Sequence, residues 1–187
     1  MKVSAGFTLV ELMVVITVVA MLMALGLPSY RYVTNSNRVS AEVNALLGDL
    51  QFARSEAIKE GATVTVCPTS NPPANPPICN AGSSEWDQGW IVTSPTVTPN
   101  VLRIQQAFVN TSANTSDRFL SSGNQKTITF DRNGFANATP ALTNAGATII
   151  LKTTPVTASS TVWTRCVEIE RGGMIGTVRY KQDIRCQ

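Results

Sequence analysis

The chain has 187 residues, a formal charge of +3 and no histidine; 43% of its residues are hydrophobic and only 14% are charged. That length fits one globular domain plus one extra element. The small charge excludes a strongly basic nucleic-acid coat and an acidic solvating tail, and the missing histidine removes the commonest general base and metal ligand.

The mean hydropathy of +0.07 is high for a soluble domain, and much of the excess lies before residue 28. Six residues ending in Gly6 precede Phe7-Thr8-Leu9-Val10-Glu11, and an apolar run covers residues 12–27. As a helix, residues 7–30 are long enough to cross a hydrocarbon core at about 1.5 Å per residue. Three readings compete. A secretory signal peptide would use Lys2 as its basic end and Ala24-Leu25-Gly26 as its cleavage site. A plain membrane anchor is the second. The third is a leader cut before the apolar segment, so that the mature chain keeps it. Glu11 separates them, because a carboxylate inside such a stretch costs roughly 2.5–3.5 kcal/mol on insertion. Neither a signal peptide nor an anchor gains from it.

On Gly6, Phe7 and Glu11, with Thr8-Leu9 between them, the sequence closely resembles the type IV pilin family. The resemblance implies cleavage between Gly6 and Phe7 by a prepilin peptidase, which also methylates the new amine of Phe7. It also suggests a partner for Glu11, the positive Phe7 amine of a neighbouring subunit; a buried carboxylate is tolerable only when paired. Pro28 falls where family helices carry a kinking proline.

Residues 31–60 remain helical in character but become amphipathic. Val39, Val43, Leu46, Leu50, Ala53 and Ala57 recur at steps of three and four, which predicts one face packed on a sheet. Gly61 stops the helix after Lys59 and Glu60. Residues 7–60 as a single helix would measure about 80 Å. An apolar first half with no domain to pack on must enter lipid or other subunits.

Beyond Gly61 the pattern turns to short strands between turn clusters: residues 62–67, 89–93, 101–107, 127–131, 148–152, 162–170 and 176–180. Residues 68–77 are too proline-rich to pair in a sheet, and the polar stretch 110–123 reads as a loop. The expected architecture is α+β, a long N-terminal helix with a β-rich head of antiparallel sheets. Its divisions are a leader (1–6), a membrane or filament-core helix (7–30), a packed amphipathic helix (31–60) and the head (61–187).

Cys67, Cys79, Cys166 and Cys186 form an even set with no C-x-x-C pair, which in an exported protein suggests two disulfides. Three pairings are possible. Cys67–Cys79 and Cys166–Cys186 are favoured because each closes a short segment rich in turn residues.

The resemblance narrows on Ala53-Arg54-Ser55-Glu56-Ala57-Ile58, Val64-Thr65-Val66-Cys67-Pro68 and Gly89-Trp90-Ile91-Val92, which are similar to the GspH/FimT group of minor pilins and pseudopilins. Ile128-Thr129-Phe130 with Gly134 fits the same group. The Cys-Pro start and the closing Cys79 look more like FimT/FimU minor pilins than secretion pseudopilins. The implied role is a subunit that primes type IV pilus assembly near the tip and supports twitching. Its implied partners are other minor and major pilins, the prepilin peptidase and the inner-membrane assembly platform. It would be held in the inner membrane with its head in the periplasm, then carried to the surface in the pilus.

No nucleophile–base–orienter set is present and no cofactor or metal is expected, so the chain does not read as an enzyme. Glu85 and Asp87 beside Trp86 read as a solvated loop rather than a cation site. Near the C-terminus, Arg171, Arg179, Lys181 and Arg185 oppose only Asp183. Some FimT-type pilins bind DNA for natural transformation through a C-terminal Gly-Arg-x-Arg motif. Gly176-Thr177-Val178-Arg179 is the corresponding stretch, with threonine in place of the first arginine. A DNA-binding minor pilin and a type II secretion pseudopilin are therefore the alternative readings.

Overall fold

The computed structural model describes residues 6–69, 76–80, 82–98, 100–107, 118–121, 124–139, 141, 147–152 and 164–179. Within these, positions 25–29, 31, 32, 35, 118–120, 147–152 and 179 are described by backbone alone. The chain divides into two compact units, Met1–Arg38 and Val39–Gln187.

In the first unit, helix α1 (Leu9–Glu60) begins two residues later than the pattern predicts. The reason is local. Thr8 stands as N-cap, its Oγ1 accepting the Glu11 backbone N–H at 3.2 Å. Thr8-Leu9-Val10-Glu11 is thus a T-x-x-E capping sequence, with a carboxylate in the first turn where the helix dipole favours it. Further on, Thr17 Oγ1 donates to the Met13 carbonyl at 2.7 Å, so its hydroxyl is satisfied within the apolar run. The helix continues across position 28, and any kink due to the Pro28 ring lies outside the described side chains.

In the second unit α1 reaches Glu60, and Gly61 comes next at φ +64°, the left-handed stop expected of it. Two antiparallel sheets complete the unit. One has the order β3-β2-β1-β5-β6, built from β1 (Val64–Pro68), β2 (Gly89–Thr93), β3 (Val101–Gln106), β5 (Thr127–Phe130) and β6 (Ala136–Thr139). The other has the order β4-β7-β8-β9, from β4 (Arg118–Ser121), β7 (Ala147–Lys152), β8 (Arg165–Ile169) and β9 (Ile175–Arg179).

The predicted helical stripe is the core. Val39, Val43, Leu46, Leu50, Ala53 and Ala57 are all buried. They share one cluster with Val64 and Val66 of β1, Trp90 and Val92 of β2, Ile128 and Phe130 of β5, and Val167 and Ile169 of β8. Both sheets therefore draw on the same face of the helix. Fully burying a side chain such as Leu46 or Leu50 contributes about 1.5–3 kcal/mol. On the other face of the first sheet, Thr65 and Thr129 sit opposite each other with hydroxyls 3.0 Å apart.

Two strands depart from expectation. Residues 118–121 are a strand, not part of a loop: β4 pairs with β7 in the register Phe119↔Leu151 and Leu120↔Ile150. β6, a strand that no pattern in the sequence predicts, closes a hairpin on β5 with Ala136 opposite Phe130. Its Ala-Asn-Ala-Thr sequence has little β propensity, and burial of Ala136 and Ala138 carries it.

Candidate functional site

The features that bear on function lie at the N-terminus, along the outer face of α1 and around the β8–β9 turn. Gly6 and Phe7 precede the helix, with Phe7 76% exposed. Leu9, Val10, Leu12, Met13, Val14 and Ile16 are each more than half exposed, and large apolar side chains remain exposed as far as Met23. Glu11 stands among them. So much uncovered apolar surface marks a region that meets lipid or protein. Among the described residues no helix is long and apolar enough to cross a membrane, so the span expected over residues 7–30 is not shown. The T-x-x-E cap gives Glu11 a place in the helix start.

In the second unit three polar clamps fix α1 to the sheets. Asp49, buried on the helix, accepts from Trp90 Nε1 at 2.8 Å and from Arg103 Nη1 at 3.1 Å. The Arg103 guanidinium lies 3.8 Å over the Phe52 ring, so this cation ties edge strand β3 to the helix twice. Lower down, Arg54 Nε donates to the Gly134 carbonyl at 3.1 Å and its Nη2 reaches the Gly172 carbonyl at 3.4 Å. One side chain thereby joins the β5–β6 turn to the β8–β9 turn, and the Ala136 N–H donates to the Arg171 carbonyl at 2.9 Å between them. Gly173, at φ +75°, has no room for a side chain: a Cβ there would collide with the Gly134 carbonyl. At the end of the helix, Glu60 Oε2 accepts from Ser94 Oγ at 2.5 Å and Thr96 Oγ1 at 2.6 Å. These two bonds hold its pKa below the ordinary value, assisted by Lys59 and opposed by partial desolvation. None of these clamps is legible as a unit in the sequence, although Arg54 stands in the stretch that carries the family resemblance.

Cys67 and Cys79 are joined, with Cα atoms 5.5 Å apart. The base of the loop they close is fixed further by Asn80 N–H to the Pro68 carbonyl at 2.8 Å and Thr69 Oγ1 to the Ile78 carbonyl at 3.1 Å. Cys166 is also disulfide-bonded; Cys186, its expected partner, lies outside the described residues. Of the basic set, Arg171 is exposed in the β8–β9 turn. Arg179 ends β9, its Cα opposite that of Arg165. Lys181 and Arg185 lie outside the described residues. Asp87 is buried in a short 3-10 turn beside Trp86, not solvated as expected, whereas Glu85 is exposed. Among the described residues no group of His, Cys, Asp and Glu is placed to hold a metal ion.

A helix that leaves its apolar end uncovered and packs its amphipathic end against antiparallel sheets defines a type IV pilin-like protein. The chain belongs to the GspH family: the profile described as type II transport protein GspH matches residues 42–173, and the prokaryotic N-terminal methylation motif matches residues 1–27. The fold is similar to that of the type IV minor pilin FimU of Pseudomonas aeruginosa (strain PAO1). The crystal form in space group P21 gives a TM-score of 0.52 at 18% identity, over 75% of this chain and 87% of that chain. The form in P65 gives 0.49 at 18% identity, over 76% and 91%. No curated protein matches the sequence.

Proposed function

We propose that the chain is a minor type IV pilin, a structural subunit that joins other pilins and helps to prime pilus assembly near the tip. The observation that carries this reading is the uncovered apolar start of α1 with a single acid, Glu11, inside a methylation motif. On this reading a prepilin peptidase cleaves between Gly6 and Phe7 and methylates the Phe7 amine. The precursor waits in the inner membrane with its head in the periplasm. On entry into the filament, Glu11 pairs with the Phe7 amine of a neighbour. Low dielectric makes such a pair selective for register, since a shifted helix would bury both charges alone. Deletion of the gene is expected to reduce piliation and twitching; normal pili in the deletion strain would contradict the reading.

The family description itself favours a second reading, a type II secretion pseudopilin. There a deletion would block exoprotein release and spare pili. The Cα pairing of Arg165 with Arg179 at one end of the β8–β9 hairpin, with exposed Arg171 in the turn at its other end, supports a separate one, DNA capture at the pilus tip. Binding to phosphates through these residues and Lys181 would fall steeply with salt. Undiminished duplex binding after replacement of Arg171 and Arg179 by Ala would exclude these residues as the contact.

A further inference from the structure

The β5–β6 and β8–β9 turns are built alike. In residues 131–135 the Asp131 N–H donates to the Phe135 carbonyl at 3.0 Å, and the Gly134 N–H to the Asp131 carbonyl at 2.9 Å. In residues 170–174 the Glu170 N–H donates to the Met174 carbonyl at 2.9 Å, and the Gly173 N–H to the Glu170 carbonyl at 2.8 Å. Gly134 and Gly173 hold the same place in each turn, at φ +80° and +75°. Both make room for one guanidinium: a Cβ at Gly134 would stand 3.0 Å from Arg54 Nε, and one at Gly173 2.9 Å from it. Arg54 Nε and Nη2 are committed to the Gly134 and Gly172 carbonyls, so the two turns hold the cation together. A guanidinium fixed in advance loses little freedom when it takes a ligand.

Among the described residues no carboxylate forms an ion pair with Arg54, and its third nitrogen, Nη1, makes no hydrogen bond. Two acids of the surrounding elements are engaged elsewhere. Glu56 pairs with Lys59 at 3.0 Å, and Asp131 Oδ1 accepts the Asn133 and Phe135 N–H groups. Arg54 is partly buried, where a charge favours a partner of opposite sign. It lines an open groove of about 480 Å³, within the size range of small-molecule sites, together with Gln51, Ser55, Ile58, Met174 and Ile175. Ile58 is 52% and Met174 64% exposed, so uncovered apolar walls stand beside the cation. Ser55 Oγ donates to the Phe52 carbonyl at 2.8 Å, which leaves Arg54 as the charge that selects a ligand.

One cation with two of its nitrogens engaged balances a single negative charge, which suits a carboxylate rather than a phosphate dianion. The walls ask for an apolar group beside that charge. We propose that this groove binds a small apolar carboxylate, its anionic oxygens on Arg54 and its apolar group between Ile58 and Met174. That chemistry is shared by a free organic acid and by a polypeptide terminus ending in an apolar residue. The site goes beyond the assembly reading above and uses none of the residues that carry it.

The test uses the full-length chain in phosphatidylcholine nanodiscs, with empty nanodiscs as the blank, and measures affinity by ligand-observed NMR. The probes are N-acetyl-leucine and N-acetyl-leucinamide, which share one apolar group and differ in the carboxylate. The acid is expected to bind about tenfold more tightly or better, the advantage of a charged hydrogen bond over a neutral one. Equal affinities, or no detectable binding of the acid, would overturn the proposal. R54Q removes the charge and is expected to abolish the preference. Because R54Q also loosens the hold on the turns, M174D is the second variant: its position is exposed, the carbonyl clamps stay, and a like charge stands at the groove wall. It is expected to weaken the acid about tenfold and to leave the amide unchanged. I104D makes the same charge change on edge strand β3 and is expected to bind as the parent does. Undiminished acid binding in R54Q or in M174D would overturn the proposal. An acetylated tripeptide ending in leucine with a free carboxylate separates the two sources. Tighter binding than N-acetyl-leucine assigns the site to a chain terminus, and equal binding assigns it to a small acid.

Discussion

At the scale of the residue, single polar atoms decide how the helix is held. Asp49 is the sharpest case, because it satisfies the buried indole N–H of Trp90 and a cation from β3 together. Replacing it by Ala removes both of these bonds from a buried site, which costs about 1–3 kcal/mol. Denaturant unfolding followed through the fluorescence of Trp86 and Trp90, both fully buried, measures this directly; a loss under about 0.5 kcal/mol, the range of ordinary surface substitutions, would contradict the role. Glu60 makes a prediction about pH. Its folded-state pKa is lowered by the Ser94 and Thr96 hydroxyls, so its contribution is fully present above the unfolded value of about 4.5 and is lost as pH falls through the lower folded value. Acid unfolding of E60Q should accordingly show a shallower loss of stability below that pH than the parent chain. Coincident acid limbs would rule out this role for Glu60. Neither cluster is visible in the sequence, since Asp49 and Arg103 are 54 residues apart and Glu60 and Ser94 are 34 apart. No short motif records such distances.

At the scale of the element, legibility tracks periodicity. The helix announces itself because its buried positions repeat every three or four residues, and Gly61 ends it by a backbone conformation that glycine adopts readily. Strands β1 and β5 are visible through alternation, Val64 and Val66 in one, Ile128 and Phe130 in the other. β4 is hidden because four residues in polar surroundings carry no period, and β6 because alanine and asparagine argue against a strand. The contact of the two turns under Arg54 is a matter of tertiary geometry: its carbonyl partners are 80 and 118 residues away. It yields a prediction. Gly173→Ala must accept a left-handed conformation and push away the Gly134 carbonyl. The backbone conformation alone costs about 1–2 kcal/mol, and displacement of the carbonyl adds to it. Thermal unfolding of G173A beside G172A, where a Cβ meets nothing within 4 Å, separates the effects. Equal melting temperatures would show that the turns are not in contact.

At the scale of the whole molecule, the two units have different relations to water. The second has a core shared by one helix face and two sheets, and its stability is its own. The first leaves large apolar side chains uncovered, and on the proposed reading lipid or neighbouring subunits cover them. Glu11 belongs to this scale. Glu11→Gln keeps a capping-box residue at the same helical position but removes the charge. It is therefore expected to leave the unfolding of the second unit unchanged while sharply reducing incorporation into filaments, read by immunoblot of sheared pili. Normal incorporation would dispose of the pairing role. The candidate site is most legible here, since Gly6, Phe7 and Glu11 stand within six residues.

The central claim is tested most directly by the N-terminus of the mature protein in sheared filaments, determined by mass spectrometry. A chain that begins at N-methylated Phe7, with residues 7–27 retained, is the expected result. A chain that begins after Gly26, with the apolar segment removed, would contradict it.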